Sequence, residues 1–108
     1  MTDSNTDFRT LGPSEALPND YVVPYYLEDR KHRISVARIN DELYAFDDLC
    51  SHEACPLSAG DLSGTIIMCQ CHASRFDVTT GAVVNGPATE PLVVYDVQEV
   101  DGEIQARI

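Results

Sequence analysis

Cys50-Ser51-His52-Glu53-Ala54-Cys55 and Cys69-Gln70-Cys71-His72-Ala73-Ser74 together hold all four cysteines of the chain and two of its three histidines. Written as spacings they are C-x-H-x-x-C and C-x-C-H, with Cys69 and His72 also related as C-x-x-H. Each group sits where an irregular stretch meets a strand end. No periodicity runs through 47–63, and the apolar Thr65-Ile66-Ile67-Met68 leads straight into Cys69. A rigid scaffold aims side chains from such loops at one point. Two loops that each offer one thiolate and one imidazole make a four-ligand site.

Outward from this pair the chain reads as short strands. Phe8-Arg9-Thr10-Leu11 is a candidate first strand, and 12–18 a turn with one helical turn between its prolines. Tyr21-Val22-Val23-Pro24-Tyr25-Tyr26-Leu27 is rich in strand formers, and Pro24 assigns it to an edge or a bulge. Residues 34–39 alternate at period two as a half-buried strand, Asn40-Asp41 is a two-residue hairpin turn, and 43–46 return as its partner. Arg75-Phe76-Asp77 is a short strand, followed by a turn at 79–81 and a loop at 85–88. Residues 91–97, the Asp101-Gly102 turn and 103–108 make a final hairpin. About nine short strands without a long helix predict an all-β fold, a small sandwich or barrel.

The chain has 108 residues, room for a single domain over 1–108, with 1–7 expected to be flexible. Seven Lys+Arg against eighteen Asp+Glu give a formal net charge of −11, which disfavours nucleic acid and anionic membranes as partners. No apolar run approaches the roughly 20 residues of a membrane span. The polar N-terminus lacks the features of a signal peptide, so a cytoplasmic location is expected. Reducing surroundings favour metal binding over disulfides. Tetrahedral zinc accepts two Cys and two His, but the zinc-finger order is absent and zinc leaves the second Cys of each loop without a role. In a Rieske centre two His replace two Cys on one iron, and C-x-H…C-x-x-H is that spacing.

The segment from Cys50-Ser51-His52 through Cys69-Gln70-Cys71-His72, Ser74-Arg75-Phe76-Asp77, Thr80-Gly81 and Gly86-Pro87-Ala88 to the C-terminal hairpin resembles a Rieske domain. It is most similar to the soluble Rieske ferredoxins of bacterial aromatic-ring-hydroxylating dioxygenases, those of carbazole dioxygenases included. The resemblance implies one 2Fe-2S cluster in a subdomain of two loops, spanning about 47–89. Cys50 and Cys69 would hold the inner iron as thiolates, and His52 and His72 the outer iron through imidazole nitrogens. Two ferric ions, two sulfides and two thiolates sum to zero, whereas four thiolates leave a dianion that accepts an electron less readily. The resemblance also implies a Cys55–Cys71 disulfide joining the loops. Ser74 would donate to a bridging sulfide. Phe76 stands where respiratory relatives carry a donating Tyr, and Gly86 and Pro87 belong to the loop that shields the cluster. Glu53, with Pro87, would face a polar protein partner instead of a quinone.

The implied role is one-electron transfer from a flavin-containing NAD(P)H reductase to a terminal Rieske oxygenase, the chain being a monomer in isolation and not itself the enzyme. An oxygenase needs a mononuclear iron held by two His and a carboxylate, and only His32 remains. Carboxylates near the loops, Asp47, Asp48, Glu53 and Asp61, are expected to steer it to basic partners. His32, with Arg30, Lys31 and Arg33, reads as a solvated turn, and Tyr21, Tyr25, Tyr26 and Tyr44 as packing residues. Two alternatives remain at this point: a Rieske accessory subunit of another redox enzyme, and a zinc-binding interaction module.

Overall fold

The computed structural model describes residues 8–28, 31–48, 56–69, 74–86 and 90–107. Among the described residues ten strands run in order: β1 (Phe8–Pro13), β2 (Tyr21–Leu27), β3 (His32–Ile39), β4 (Glu42–Asp47), β5 (Asp61–Ser63), β6 (Ile66–Met68), β7 (Arg75–Asp77), β8 (Val83–Asn85), β9 (Val94–Val100) and β10 (Glu103–Arg107). Single 3-10 turns occupy Ser14–Ala16 and Leu57–Ala59. Among the described residues no helix is long and apolar enough to cross a membrane.

Six strands form one antiparallel sheet in the order β1-β10-β9-β4-β3-β2, and four form a second in the order β5-β6-β7-β8. The expected hairpins are present. Asn40 and Asp41 both take positive φ, 53° and 68°, between the paired residues Ile39 and Glu42. Asp101 and Gly102 do the same at 53° and 78° between Val100 and Glu103. Left-handed residues at both central positions match the right-handed twist of the flanking strands. Pro24 lies in an edge strand as expected, where a missing N–H costs no ladder bond.

The six-stranded sheet curls enough for the Tyr25 side chain of β2 to reach Gly12 of β1, where a Cβ would lie 3.3 Å from Tyr25 Cε1. Leu17, Val36, Ala45 and Ile104 pack inside this curl, with Leu11, Val23, Tyr25, Leu43, Tyr95 and Val97 against them. Arg38 closes one end of it. Its Nε donates to the Leu17 carbonyl at 2.6 Å and its Nη2 to the Ser14 carbonyl at 3.2 Å, while Nη1 pairs with Glu99 at 3.3 Å.

A second core, built on Ala37, Ile39, Phe46, Leu57, Ile67, Cys69, Phe76, Val78 and Leu92, joins the curled sheet to the small one. β3 therefore buries both faces, Val36 inward and Ala37 and Ile39 outward, and is not the half-buried strand its alternation suggests. Apolar residues on both faces are what a strand between two layers needs. Other boundaries move as well. β1 continues through Gly12-Pro13 because it pairs with β10, passing a bulge between Thr10 and Gly12. β5 lies inside the stretch that shows no periodicity, since three residues are too few to display one. β9 starts at Val94 and not Pro91, because the Leu92 N–H is drawn to the Gly81 carbonyl at 2.7 Å.

Candidate metal centre

The register of the small sheet aligns the ends of its strands. Asp61 pairs with Met68, Met68 with Arg75, and Arg75 with Asn85. The start of β5, the end of β6, the start of β7 and the end of β8 therefore lie side by side. Cys69, Ser74 and Gly86 adjoin these strand ends, so antiparallel pairing brings together residues that are far apart in sequence.

Each of the two cysteine-bearing loops is closed at its stem. The Cys69 N–H donates to the Ser74 carbonyl at 2.8 Å, drawing the ends of 70–73 together. The Leu57 N–H donates to the Asp48 carbonyl, and the Ser58 N–H to Asp48 Oδ1 at 2.8 Å, which does the same for 49–55. A third contact locks one stem to the other. A Cβ on Gly60 would stand 2.0 Å from the Met68 carbonyl oxygen, so only glycine lets the chain leaving the first loop pass so close to the residue before Cys69.

Of the residues singled out from the sequence, Cys69 is 1% exposed and packs with Leu57, Ile67 and Phe76. Ser74 is 0% exposed, which keeps its hydroxyl inside the loop end. Phe76 is a core residue opposite Ile67, so its ring serves packing. Gly86 is exposed at the end of β8, following the Arg75–Asn85 pair. Cys50, His52, Glu53, Cys55, Cys71, His72 and Pro87, and with them the Cys55–Cys71 pairing, lie outside the described residues. Among the described residues no three metal-ligating side chains converge.

Other expectations need correction. Asp48 is no steering charge: it is fully buried, accepts the Ser35 hydroxyl at 2.7 Å and faces Arg33 Nε at 2.5 Å. Arg33 is thereby a β3 residue with an ionic partner and not part of a solvated turn. His32 is not simply solvated either, because Asp47 Oδ1 lies 2.5 Å from its Nε2 and also accepts the Tyr95 hydroxyl at 2.6 Å. Tyr21 and Tyr26 are exposed, at 61% and 60%, whereas Tyr25 packs in the curled sheet, where burial raises its phenol above the usual value. Asp61 is exposed.

The donor chemistry fits an iron–sulfur cluster. A buried cysteine at a strand end, with a buried serine at the far stem of the same short loop, offers a thiolate and a hydroxyl donor in surroundings of low dielectric. The family comparison decides the matter, with the Rieske [2Fe-2S] domain matching residues 8–98. The chain belongs to the Rieske family. As a Rieske protein it carries one 2Fe-2S cluster, which removes the zinc-module reading. It is 41% identical over 75 residues to the anthranilate 1,2-dioxygenase ferredoxin subunit of Burkholderia cepacia, a stretch covering 69% of each chain. Its fold matches the Sphingomonas yanoikuyae B1 ferredoxin with a TM-score of 0.86 and 29% identity, covering 93% of this chain and 97% of that one. It also matches a chain from the complex of reduced oxygenase and oxidized ferredoxin in carbazole 1,9a-dioxygenase, with a TM-score of 0.86, 28% identity and coverage of 93% and 92%. This Rieske protein is an electron carrier and not a catalytic component.

Proposed function

We propose that this Rieske ferredoxin takes single electrons from a flavin-containing NAD(P)H reductase and delivers them to a terminal Rieske oxygenase that hydroxylates an aromatic ring. The observation that carries this reading is a buried cysteine at the aligned strand ends of a small sheet, in a fold shared along its length with the ferredoxin of a carbazole 1,9a-dioxygenase. Cys50 and Cys69 would bind as thiolates, and His52 and His72 as imidazoles. When bound, the cluster accepts and returns one electron.

The chain's own residues do the rest. The apolar packing around Cys69 excludes water from the thiolate side, and Ser74 keeps a hydroxyl donor within the same stem. Glu53 and Pro87 would contribute to docking the partner protein. Exposed carboxylates such as Asp61 and a net charge of −11 favour partners with basic patches, and the work is done in the cytoplasm by a monomer. Carriers of this kind use small interfaces, below about 1,200 Å², that release quickly.

Reconstitution tests the proposal. Purified, cluster-loaded protein is combined with a reductase and an oxygenase of a ring-hydroxylating system, and NADH-dependent hydroxylated product is followed. Product that requires this chain supports the reading. A protein that accepts electrons from reductases yet reduces no such oxygenase refutes it.

A further inference from the structure

The buried ion pair between Arg33 and Asp48 stands at the stem of the first ligand loop. The Asp48 carboxylate is fully buried. Its Oδ1 accepts the Ser35 hydroxyl at 2.7 Å and the Ser58 N–H at 2.8 Å, and its Oδ2 lies 2.5 Å from Arg33 Nε. Oδ2 and Nε are both shut off from solvent, and neither forms another hydrogen bond among the described residues, so each depends on the other's charge. The main chain adds two links: the Asp48 N–H donates to the Arg33 carbonyl at 3.2 Å, and the Asp48 carbonyl accepts the Leu57 N–H. One residue thus grips β3 on one side and the chain returning from the loop on the other.

Two features give this arrangement a bearing on the cluster. Asp48 is two residues before Cys50, so chain geometry alone limits the separation of their Cα atoms to about 7 Å. A carboxylate without solvent also exerts an unscreened field unless a cation cancels it, and Arg33 supplies that cation. Seven positive residues against eighteen negative ones make such a pairing an unusual use of scarce charge. The Arg33 side chain is 42% exposed overall while its Nε is sealed, so the guanidinium reaches in from the surface to a carboxylate that water does not reach.

We propose that Arg33 and Asp48, with Ser35, are positioning residues for the bound cluster: they clamp the first ligand loop at its stem and keep the charge beside it balanced, so that the pair sets the reduction potential. The proposal rests on Cys50 being a ligand, as in the function proposed above. Reduction adds one negative charge. An uncancelled cation at the stem therefore favours it, and an uncancelled carboxylate opposes it. A unit charge some ten ångströms away in an effective dielectric of about 20 shifts a one-electron equilibrium on the order of tenfold.

The test is a potentiometric titration of isolated, cluster-loaded protein without redox partners. Asp48→Asn keeps an acceptor for Ser35 and Ser58 but leaves Arg33 uncancelled. Its equilibrium should move about tenfold towards the reduced form, which is about +59 mV for one electron. Arg33→Leu should move it about tenfold the other way, and the double variant should return close to the starting value. Shifts of the same sign in both single variants, or none beyond twofold, overturn the proposal, because damage to the fold alone has no reason to change sign with the charge removed. Should the charge variants fail to fold, Ser35→Ala removes one hydrogen bond and no charge. Several-fold faster loss of iron to a chelator is expected from it, and an unchanged rate overturns the clamp. Because no partner is present, failure here is distinct from failure of the reconstitution above.

Discussion

Gly60 accepts an added methyl group only if main chain moves. In Gly60→Ala the new Cβ would be 2.0 Å from the Met68 carbonyl oxygen and 3.2 Å from that of Leu57. An ordinary carbon–oxygen approach is about 3.3 Å, so main chain must yield by about 1.3 Å. Both parties are backbone, and Met68 is held by Asp61 on one side and Arg75 on the other, so no side chain can simply swing away. Overpacking costs about 1–3 kcal/mol, and the upper end applies here. The stiffer unfolded chain of an alanine variant gives back about 0.4–1 kcal/mol. A net loss of about 2–3 kcal/mol, or about 10–20 °C in melting temperature, follows. Urea denaturation of the cluster-loaded protein, followed by circular dichroism and by visible absorbance, measures it. Gly64→Ala is the control. That residue also needs care, with φ at +61°, but a Cβ there meets nothing within 4 Å, so only the left-handed backbone is penalised, by about 1 kcal/mol. The Gly60 variant should also lose absorbance at a lower urea concentration, because the displaced carbonyl precedes Cys69. Equal midpoints for the two variants would refute the reasoning.

Other perturbations read different parts of the fold. Arg38→Met removes the guanidinium donors to the Leu17 and Ser14 carbonyls at the closed end of the curled sheet, and thermal unfolding should register a loss of about 2 kcal/mol. Hydrogen bonding from Ser14, then from Arg38, holds the Glu99 carboxyl below its usual 4.5. Its contribution is therefore present above that value and disappears as pH falls through the lower folded one. Glu99→Gln should flatten the acid side of the stability–pH curve, and an unchanged acid limb contradicts the assignment. Tyr95→Phe removes the hydroxyl that donates to Asp47 at 2.6 Å and should cost about 1 kcal/mol in urea titration, with β4 and β9 still paired at Ala45–Tyr95.

Much of this protein could be read along the chain because the signals are local. Asn40-Asp41 and Asp101-Gly102 mark hairpins since few residues accept positive φ at both central positions, and Pro24 marks an edge since it lacks a donor. The spacing of Cys50, His52, Cys69 and His72 points to an iron–sulfur cluster because that pairing of residue types serves few other purposes, and the family match bears out the cluster. The limits have an equally definite origin. A three-residue strand such as β5 is too short to carry a period, and a strand with apolar residues on both faces does not reveal which layer each face meets.

Charge was the least legible property. Asp48, read along the chain as one acidic residue among several, becomes a buried anchor only when β3 places Arg33 and Ser35 beside it, and the sole hint was their i, i+2 spacing on the face shared with Ala37 and Ile39. His32 and Asp47 meet only because β3 and β4 pair antiparallel with Ile34 opposite Asp47. Residue types and local turns therefore pointed to most of the strands and to the 2Fe-2S cluster from the chain alone. Which carboxylates lose their water, and which strand ends lie side by side, was decided by strand register, a cooperative property of pairings between segments that no single stretch encodes.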